Sequence, residues 1–487
     1  MKSKILHALT LLFLILLASC QSDDQDFNYD PTNEISVVTD TTQYNVIQFE
    51  VLHIVPEIAT TIKDNRSYTY EWSAYATIAP GKPIVLSTEK ELNVPIGLDV
   101  KTYNLQFSIT DAATGVVYLQ RYGLKVSSGF YEGWLVVSNK EGRGQLSFIR
   151  KDGLVIYNPA EEVNNKTYPG PGFDAASPIN DISDMQQIYY FAGDNIYLFD
   201  ANSFSELSTS EKLFGIPLAS TGYADVAIGS LSINSYLINN GKIHLTSISP
   251  SFEGAYTPAL TGDYTSVFPM SFVNNDFNDF FGNTYFYDNV RKRFVYSGYA
   301  DIKITAVPST ASSPYFDMAA VNRTMLAAAK GTAGKYHFIM KDDSTSECYL
   351  YTLTDGNPDD NQQINLSNID QLKGFDALSD GADLAYFGIG NKLYKFDIAA
   401  GSTSEIFEFP GSSQIADVKV YKNPYVDFSI NPTDPEHNQK ITVAVNNGAQ
   451  GEVYIFSLTG TGNIANGTFS EHYTGFGEIK SLKYRNK

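Results

Sequence analysis

Histidine, serine and cysteine are the residues of this chain best suited to catalysis or metal binding, yet none of them stands in a catalytic pattern. There is no His-Glu-x-x-His motif and no Gly-x-Ser-x-Gly nucleophile elbow. Apart from one histidine at position 7, the histidines are far apart and share no metal-ligand spacing: His53, His244, His337, His437 and His472. The sequence therefore predicts a protein that is not an enzyme, with no catalytic residue, no cofactor and no metal.

Packing explains the individual candidates better than chemistry does. His244 and His337 fall inside expected strands, which favours packed or rim histidines. Cys348 begins a strand, where a small buried hydrophobic residue is expected rather than a nucleophile. Residues 355–359 have the alternating oxygen spacing of a calcium loop, but Leu366 stands where an EF-hand needs glutamate, which favours an ordinary acidic loop. Spacing does not exclude a glycosidase pair assembled from distant carboxylates.

Aromatic residues in three loops are the candidate ligand-binding residues. Rings on rigid loops bind sugars by stacking and peptides by apolar contact, at low entropic cost. The alternative is that these rings fill the interior of the fold or pack between its repeated units. Abundant tyrosine and phenylalanine with only two tryptophans favours peptides slightly, and leaves glycans open. The candidates are Tyr168, Phe173, Phe277, Phe280, Phe281, Tyr315 and Phe316.

Composition indicates an acidic, all-β protein. The 487 residues include 34 Lys and Arg against 54 Asp and Glu, a net charge of −20. A nucleic-acid partner is not expected, because such proteins normally carry a basic surplus or stripe. The 33 tyrosines, 30 phenylalanines and 36 glycines favour strands and turns, and two cysteines are too few for a disulfide scaffold.

The N-terminus predicts a lipoprotein signal peptide over residues 1–19. Lys2 and Lys4 precede an apolar stretch over residues 5–18, which as a helix would rise only about 21 Å, too short for a bilayer. The sequence Leu-Ala-Ser-Cys that ends at Cys20 resembles the lipobox of bacterial lipoproteins. That resemblance implies cleavage before Cys20 and an outer-membrane lipid anchor on its thiol.

An acidic run follows Cys20 and begins a flexible tether over residues 20–34. The run, which includes Ser22, Asp23 and Asp24, resembles the surface-export signal of Bacteroidetes lipoproteins. The resemblance implies an anchored protein that faces the cell exterior. The alternative is a merely solvated tether, which any acidic run supplies.

Residues 35–128 predict a small β-sandwich. Short alternating strands separated by turns are typical of an immunoglobulin-like sandwich. Tyr70-Glu71-Trp72, paired with the alternating strand over residues 103–111, is similar to PKD domains, and Trp72 is expected to fill the core. The usual Gly-Asp-Gly turn is replaced by Ser73-Ala74-Tyr75, so the domain is predicted as PKD-like.

Residues 129–487 predict a seven-bladed β-propeller-like domain. An apolar strand, a tight turn and an aromatic-rich strand recur seven times, with first strands near residues 135, 188, 236, 284, 336, 384 and 441. A period of about 50 residues with internal hairpins is typical of four-stranded propeller blades. The alternative is one irregular sandwich. Because the first hairpin lacks a preceding strand, residues 479–484 are expected to pair with it and close the ring.

Taken together, the chain resembles the PKD-like family lipoproteins of Bacteroidetes. The resemblance rests on the lipobox, the acidic run, the PKD-like module and the segment from Phe130 to Val137 that opens the propeller. It implies a surface accessory of SusC/SusD-type TonB-dependent importers that binds or presents a peptide or glycan nutrient. The alternatives are a surface hydrolase of the same uptake system and a structural or adhesion protein.

If Cys20 carries the anchor, the Cys20→Ala variant should leave the membrane for the soluble fraction. Acyl chains contribute about 0.8 kcal/mol for each buried CH₂ group, and this variant would have none. Fractionation followed by immunoblotting measures the partition, with Ser19→Ala as a control that keeps the thiol. A Cys20→Ala protein that stayed fully membrane-bound would contradict the lipid anchor.

Overall fold

The chain folds into two compact units. The computed structural model describes residues 33–486 except residues 64, 79–80, 179–186, 215, 217, 219–223, 229–233, 248–254, 274–282, 299–300 and 424–433. The leader and residues 20–32 of the tether, with Cys20, Ser22, Asp23 and Asp24, lie outside these residues. Asn33, at the end of the predicted tether, is buried and donates to the Tyr68 hydroxyl at 3.0 Å, so the sandwich begins slightly earlier than predicted. No helix in the described part is long and apolar enough to cross a membrane.

The first unit is the PKD-like sandwich, whose described part comprises residues 33–46, Val51–Ile96 and Thr102–Lys125. Its largest sheet has the order β2-β9-β8-β5-β6, and β1-β4 and β3-β7 form two further pairs. Trp72 is fully buried and stacks on Phe107 across the β5–β8 pair, with ring centroids 4.3 Å apart, as expected for the core residue. The strands described before residue 128 are β1 (Ile35–Val38), β2 (Gln43–Ile47), β3 (Val51–Ile54), β4 (Glu57–Thr60), β5 (Tyr68–Ala76), β6 (Ile84–Ser87), β7 (Leu92–Pro95), β8 (Thr102–Asp111) and β9 (Val117–Ser127).

The second unit comprises Ile47–Glu50, Gly97–Lys101 and Val126–Lys487, so the chain enters it near the predicted boundary after residue 128. Its described strands form seven sheets, blades 1 to 7. Blade 1 has β10 (Gly133–Lys140), β11 (Arg143–Arg150) and β12 (Val155–Ile156); blade 2 has β13 (Gly172–Ala176), β14 (Gln187–Ala192), β15 (Asn195–Asp200) and β16 (Glu206–Thr209); blade 3 has β17 (Ala224–Ile228), β18 (Asn234–Asn239) and β19 (Lys242–Ser247); blade 4 has β20 (Thr261–Gly262), β21 (Phe272–Val273), β22 (Thr284–Asp288), β23 (Arg293–Ser297) and β24 (Lys303–Ala306).

The remaining blades repeat the same antiparallel order. Two short helices, α1 (Pro159–Asn164) and α2 (Ser210–Leu213), and two 3-10 turns, Ile369–Gln371 and Ala465–Gly467, interrupt the described strands. Blade 5 has β25 (Thr324–Lys330), β26 (Lys335–Lys341), β27 (Cys348–Thr354) and β28 (Asn357–Ile364); blade 6 has β29 (Leu372–Ala377), β30 (Leu384–Ile389), β31 (Lys392–Asp397) and β32 (Ser402–Glu408); blade 7 has β33 (Gln414–Val420), β34 (Lys440–Asn447), β35 (Gln450–Ser457) and β36 (Glu471–Phe476); and the last strand is β37 (Glu478–Arg485).

The predicted hairpins are the two middle strands of the blades, from β10–β11 to β34–β35. These strands are mostly apolar because both of their faces are covered. On β14, Ile188 and Tyr190 pack against blade 1, whereas Tyr189 and Phe191 pack against blade 3. Alternate side chains of a strand point to opposite faces, so each middle strand contributes to two interfaces.

Apolar clusters join the blades into a ring. Among the described residues, a buried cluster lies between each pair of neighbours: blades 1 and 2, 2 and 3, 3 and 4, 4 and 5, 5 and 6, 6 and 7, and 7 and 1. The cluster between blades 7 and 1 joins Trp134 and Ile149 to Ile455 and Phe476. The all-β, seven-bladed propeller-like fold predicted from the repeats is therefore confirmed.

The last strand closes this ring. β37 pairs antiparallel with β10, with Trp134 opposite Tyr484 and Val136 opposite Leu482. It is the innermost strand of blade 1, whose order is β12-β11-β10-β37. The predicted pairing of residues 479–484 with the first hairpin is confirmed.

Deleting residues 478–487 should abolish the cooperative unfolding of the second unit. The deletion exposes the edge of β10 and removes Ile479 and Leu482 from the cluster between blades 7 and 1. Calorimetry should show a broadened or lost transition, or aggregation, whereas a control deletion of residues 486–487 keeps β37 and the wild-type transition. A normal melt of the longer deletion would show that β37 is not needed for closure.

Candidate functional site

Three inner strands carry an aspartate within two residues of a β-bulge. The inner strand of a blade pairs with the first of its two middle strands; it is β21 in blade 4 and β37 in blade 1. Among the described strands, inner-strand contacts join β25, β29, β33, β37, β13 and β17 in that order. Asp174, Asp376 and Asp417 occupy these positions on β13, β29 and β33. Each carboxylate accepts the backbone N–H of the following residue, at 2.8, 3.1 and 2.9 Å respectively. The aspartates therefore hold the irregular backbone at the bulges.

Two of these carboxylates also bridge to the next blade. Oδ2 of Asp376 accepts the backbone N–H of Val420 on β33 at 2.8 Å. Oδ2 of Asp417 accepts the backbone N–H of Leu482 on β37 at 2.9 Å. These bonds join the inner strands of blades 6, 7 and 1. Both aspartates therefore have a structural role at the centre of the ring.

The third carboxylate, Asp174, accepts a hydrogen bond from the Ser481 hydroxyl on β37. Burial raises the pKa of Asp174, although nearby lysines oppose that shift. Lys419 lies 3.2 Å from Asp417. Burial by itself would lower the pKa of Lys419, but the carboxylates of Asp417 and Asp376 raise it above its usual range. The described acids near the centre are thus bonded to backbone, hydroxyl and lysine partners.

A serine–histidine pair lies between blades 6 and 7. The Ser379 hydroxyl is 3.2 Å from Nε2 of His437. Nδ1 of His437 accepts the backbone N–H of Asn423 at 2.8 Å, so the ring proton is assigned to Nε2. With that tautomer, Nε2 donates to Ser379 and has no lone pair with which to take its proton. This arrangement holds two loops together and does not activate the serine.

The other described candidates are packed or paired. His244 lies 2.9 Å from the Thr257 carbonyl, and burial lowers its pKa. His337 is 1% exposed and lies 3.0 Å from the Thr352 hydroxyl. Cys348 is buried, which raises its pKa and makes the thiolate less accessible. No group of three His, Cys, Asp or Glu residues in the described part is placed to hold a metal ion.

The aromatic loop residues divide between interior and surface. Tyr168 is 2% exposed and packs on Tyr197 with centroids 4.6 Å apart. Phe173 lies in strand β13 rather than in a loop, and it is half-buried against the cluster between blades 2 and 3. Phe316 is buried and stacks on Tyr351 at 4.6 Å. This packing favours the alternative considered for these residues, in which the rings pack between blades instead of binding a ligand.

Tyr315 has a different environment from its neighbour Phe316. Its side chain is 41% exposed, so it is the described candidate best placed to contact a ligand. Phe277, Phe280 and Phe281 lie outside the described residues. The described candidates therefore offer isolated rings rather than one shared stacking surface.

A polar groove lies between blades 7 and 1, beside the closing strand. We call it the closure groove. It is partly open to solvent, and its accessible space is enough for about two water molecules. Strands from both ends of the propeller sequence supply its walls: Trp134, Ile149, Arg150, Lys151, Tyr421, Glu436, Lys440, Thr442, Ile455, Glu471, Tyr473 and Tyr484.

A tyrosine–carboxylate network forms one end of the closure groove. Glu132 accepts a hydrogen bond from Tyr484 at 2.8 Å and from Lys151 at 2.9 Å. The Tyr421 hydroxyl lies 2.6 Å from Asp434 and 3.2 Å from Glu132. The rings of Tyr421 and Tyr484 meet edge to face with centroids 4.7 Å apart.

Burial and these carboxylates control the charges of the network. Burial raises the pKa values of Tyr421 and Tyr484 above their usual range, and the neighbouring carboxylates raise them further. The hydrogen bonds from Tyr421 and Asn423 outweigh burial and lower the pKa of Asp434. The phenols therefore stay protonated as donors, and Asp434 stays charged as an acceptor. This network can orient polar groups, but it presents no activated nucleophile.

Two buried polar atoms of the closure groove have no hydrogen-bond partner among the residues that the structure describes. They are Oγ1 of Thr442, on β34, and Nη1 of Arg150, at the end of β11. Thr442 is fully buried and Arg150 is 4% exposed. A buried polar group without a partner costs about 1–3 kcal/mol, so such atoms call for an explanation.

Sequence reasoning did not find the closure groove. Its residues come from both ends of the propeller sequence and meet only when β37 closes the ring. One signal was present, because Trp134 is the only tryptophan after residue 128. Nothing in the spacing of Arg150 and Thr442 connects them.

Comparison with known protein families supports the assignment of the N-terminal sandwich as a PKD-like domain. Residues 20–169 match the model of the PKD-like family. The match spans the sandwich and continues through the first hairpin of the propeller. The chain thus carries a PKD-like domain at its N-terminal end, followed by the propeller-like ring. No protein of the curated collection matches the chain.

Two solved structures from Bacteroides thetaiotaomicron are similar in outline. A quinonprotein alcohol dehydrogenase-like protein is 12% identical, with 92% of this chain and 97% of that chain covered and a TM-score of 0.45. An extracellular domain, described as that of a putative one-component system, is 8% identical, with 91% of this chain and 69% of that chain covered and a TM-score of 0.39. Because the identities and TM-scores are this low, the assignment of a propeller-like fold rests on the strand order of this chain alone.

Buried His337 should make the folded protein less stable as the pH falls. Burial lowers its pKa from 6.5 to about 4, so below pH 6.5 the unfolded chain binds a proton that the folded chain excludes. Its contribution is fully present above pH 6.5 and is lost progressively toward pH 4, by up to about 3 kcal/mol at 1.4 kcal/mol per unit.

Urea unfolding at pH 7.5, 5.5 and 4.5 tests this shift. His337→Asn removes the titrating group and should reduce the loss of stability between these pH values. The control is His53→Asn, at an exposed histidine of β3. A His337→Asn variant with the wild-type pH dependence would contradict the lowered pKa.

Proposed function

We propose that this protein is a lipid-anchored accessory on the outer surface of the outer membrane, which binds a peptide or glycan nutrient and presents it to a SusC/SusD-type importer. The lipobox and acidic run support the location. The PKD-like family match also begins at Cys20, the residue expected to be first after cleavage. The closure groove carries the binding part of the proposal.

The groove supports binding rather than turnover because of what its polar groups can do. Its phenols are held protonated, and its partly exposed carboxylates, Glu436 and Glu471, suit hydrogen bonding to a ligand. Elsewhere, the proton position at His437 leaves Ser379 without a base. Tyr315 adds one exposed ring on a loop between blades 4 and 5.

A surface hydrolase remains the second candidate function. The observation that favours it is the Ser379–His437 contact, the arrangement in the described residues nearest to a nucleophile and its base. Mixed peptides and glycans incubated with purified protein give the test. Product that disappears in Ser379→Ala would establish the hydrolase, and no product with either protein is expected.

Tagged full-length protein purified from solubilised outer membranes should bring an importer with it. The accessory role requires a protein contact, so the importer should be enriched at least several-fold over a purification with an unrelated tagged surface lipoprotein. Quantitative mass spectrometry measures the enrichment. Recovery of no transport protein above the control would contradict the accessory role and favour a free-standing scaffold or enzyme.

A further inference from the structure

Aromatic side chains cluster at the outer rim of blade 7, on the face of its strands that points away from the closure groove. Glu471 and Tyr473 of β36 line that groove, so His472 between them points to the opposite face. There its ring lies flat on Tyr454 of β35, with centroids 4.3 Å and planes 12° apart. Phe469, in the loop before β36, meets His472 at 57° with centroids 5.5 Å apart. The two outer rings therefore form the sides of an aromatic corner.

These rings are reached from solvent without entering a cavity. Phe469 is 38% exposed. The side chain of His472 is 33% exposed although Tyr454 covers one face of its imidazole, so its accessible surface lies on the outer face and edge. Buried Phe409 and Phe456 pack behind Tyr454 and Phe469, with centroids 5.1 and 6.4 Å apart respectively. The corner is thus accessible in front and supported from behind.

Glu452 orients the rings and supplies acceptors beside them. Its carboxylate accepts a hydrogen bond from the Tyr454 hydroxyl and lies 2.7 Å from Nε2 of His472. The bond from Tyr454 contributes most to the lowered pKa of Glu452, so this carboxylate stays charged. With the ring proton assigned to Nε2, Nδ1 of His472 is an acceptor without a hydrogen bond in the described residues. We call Glu452, Tyr454, Phe469 and His472 the rim platform.

The loop that carries Phe469 offers further polar groups. Residues 466–470 are all exposed. The side chains of Asn466 and Thr468 have no hydrogen-bond partner among the described residues. An amide and a hydroxyl can each donate and accept, and such groups beside a rigid ring are typical of loops that bind ligands.

The chemistry of the rim platform matches a sugar ring. A ligand here needs an apolar face for Phe469 and His472, and hydroxyl donors for the acceptors at their edges. A pyranose has both, because C–H groups cover its face and hydroxyls surround it. No lysine or arginine of the described part bonds to the rim platform or lies over its rings, and Glu452 is charged, so an anionic sugar would be repelled.

We propose that the rim platform binds an uncharged sugar ring of a neutral glycan. The sugar packs on Phe469 and on the outer face of His472, and its hydroxyls donate to Glu452 and to Nδ1 of His472. This inference rests on the capture role proposed above. It adds a contact site on the other face of β36 from the closure groove, and it selects glycan over peptide.

Calorimetric titration of the full chain tests the ligand class. The probes are neutral tetrasaccharides of glucose, galactose and mannose, with tetragalacturonate and an equimolar mixture of tetrapeptides for comparison. At least one neutral tetrasaccharide should bind, and tetragalacturonate and the tetrapeptides should bind more weakly or not at all. Absence of binding by all three neutral probes would overturn the proposal.

Variants at Phe469 locate the site. Phe469→Ala and Phe469→Leu both remove the ring and should weaken saccharide binding about 3- to 10-fold, the loss expected for one aromatic contact. Phe469→Tyr keeps the ring and should bind as the wild type does. Because the side chain is exposed, all three variants should melt close to the wild-type temperature. Leu207→Ala, at an exposed apolar side chain on the outer strand of blade 2, is the matched control and should bind normally.

The remaining outcomes also decide the matter. Saccharide binding that Phe469→Ala leaves unchanged would place the site elsewhere and overturn the proposal. Tetrapeptide binding that Phe469→Ala weakens would keep the rim platform but overturn the ligand class. Failure of importer recovery with intact saccharide binding would remove the accessory role alone, whereas importer recovery without saccharide binding would remove this inference alone.

Discussion

The pairing of β37 with β10 is the constraint on which the propeller depends. A middle strand such as β14 is apolar on both faces, so each blade needs a neighbour on each side. Blade 1 has a complete inner edge only because the last strand of the chain supplies it. Closure then buries the cluster between blades 7 and 1, so that among the described residues each blade packs against a neighbour on both sides.

Closing the ring places demands on its inner strands. These strands bulge where they approach one another, and aspartates restore hydrogen bonds that the bulges interrupt. Asp376 and Asp417 accept one bond within their own strand and another from the next blade. The described acids nearest the centre are therefore bonded to backbone and hydroxyl groups.

The binding role that we propose for this chain therefore involves polar groups between blades rather than groups at the ring centre. The closure groove keeps two buried polar atoms without partners, Nη1 of Arg150 and Oγ1 of Thr442. The groups present can orient a ligand, and none of the described ones is arranged to attack it.

Local patterns in the sequence determined the strands, the hairpins and their number. Unbroken apolar runs with tight turns predicted the middle strands, and the missing strand before Leu135 predicted closure, because pairing and face burial follow from residue order. The sequence could not place Tyr168 and Phe316, because the local pattern around an aromatic loop residue is the same whether its ring packs inward or faces solvent. Only the tertiary structure could bring Arg150 and Thr442 into one groove, because residues about 290 positions apart meet through ring closure rather than through any local periodicity.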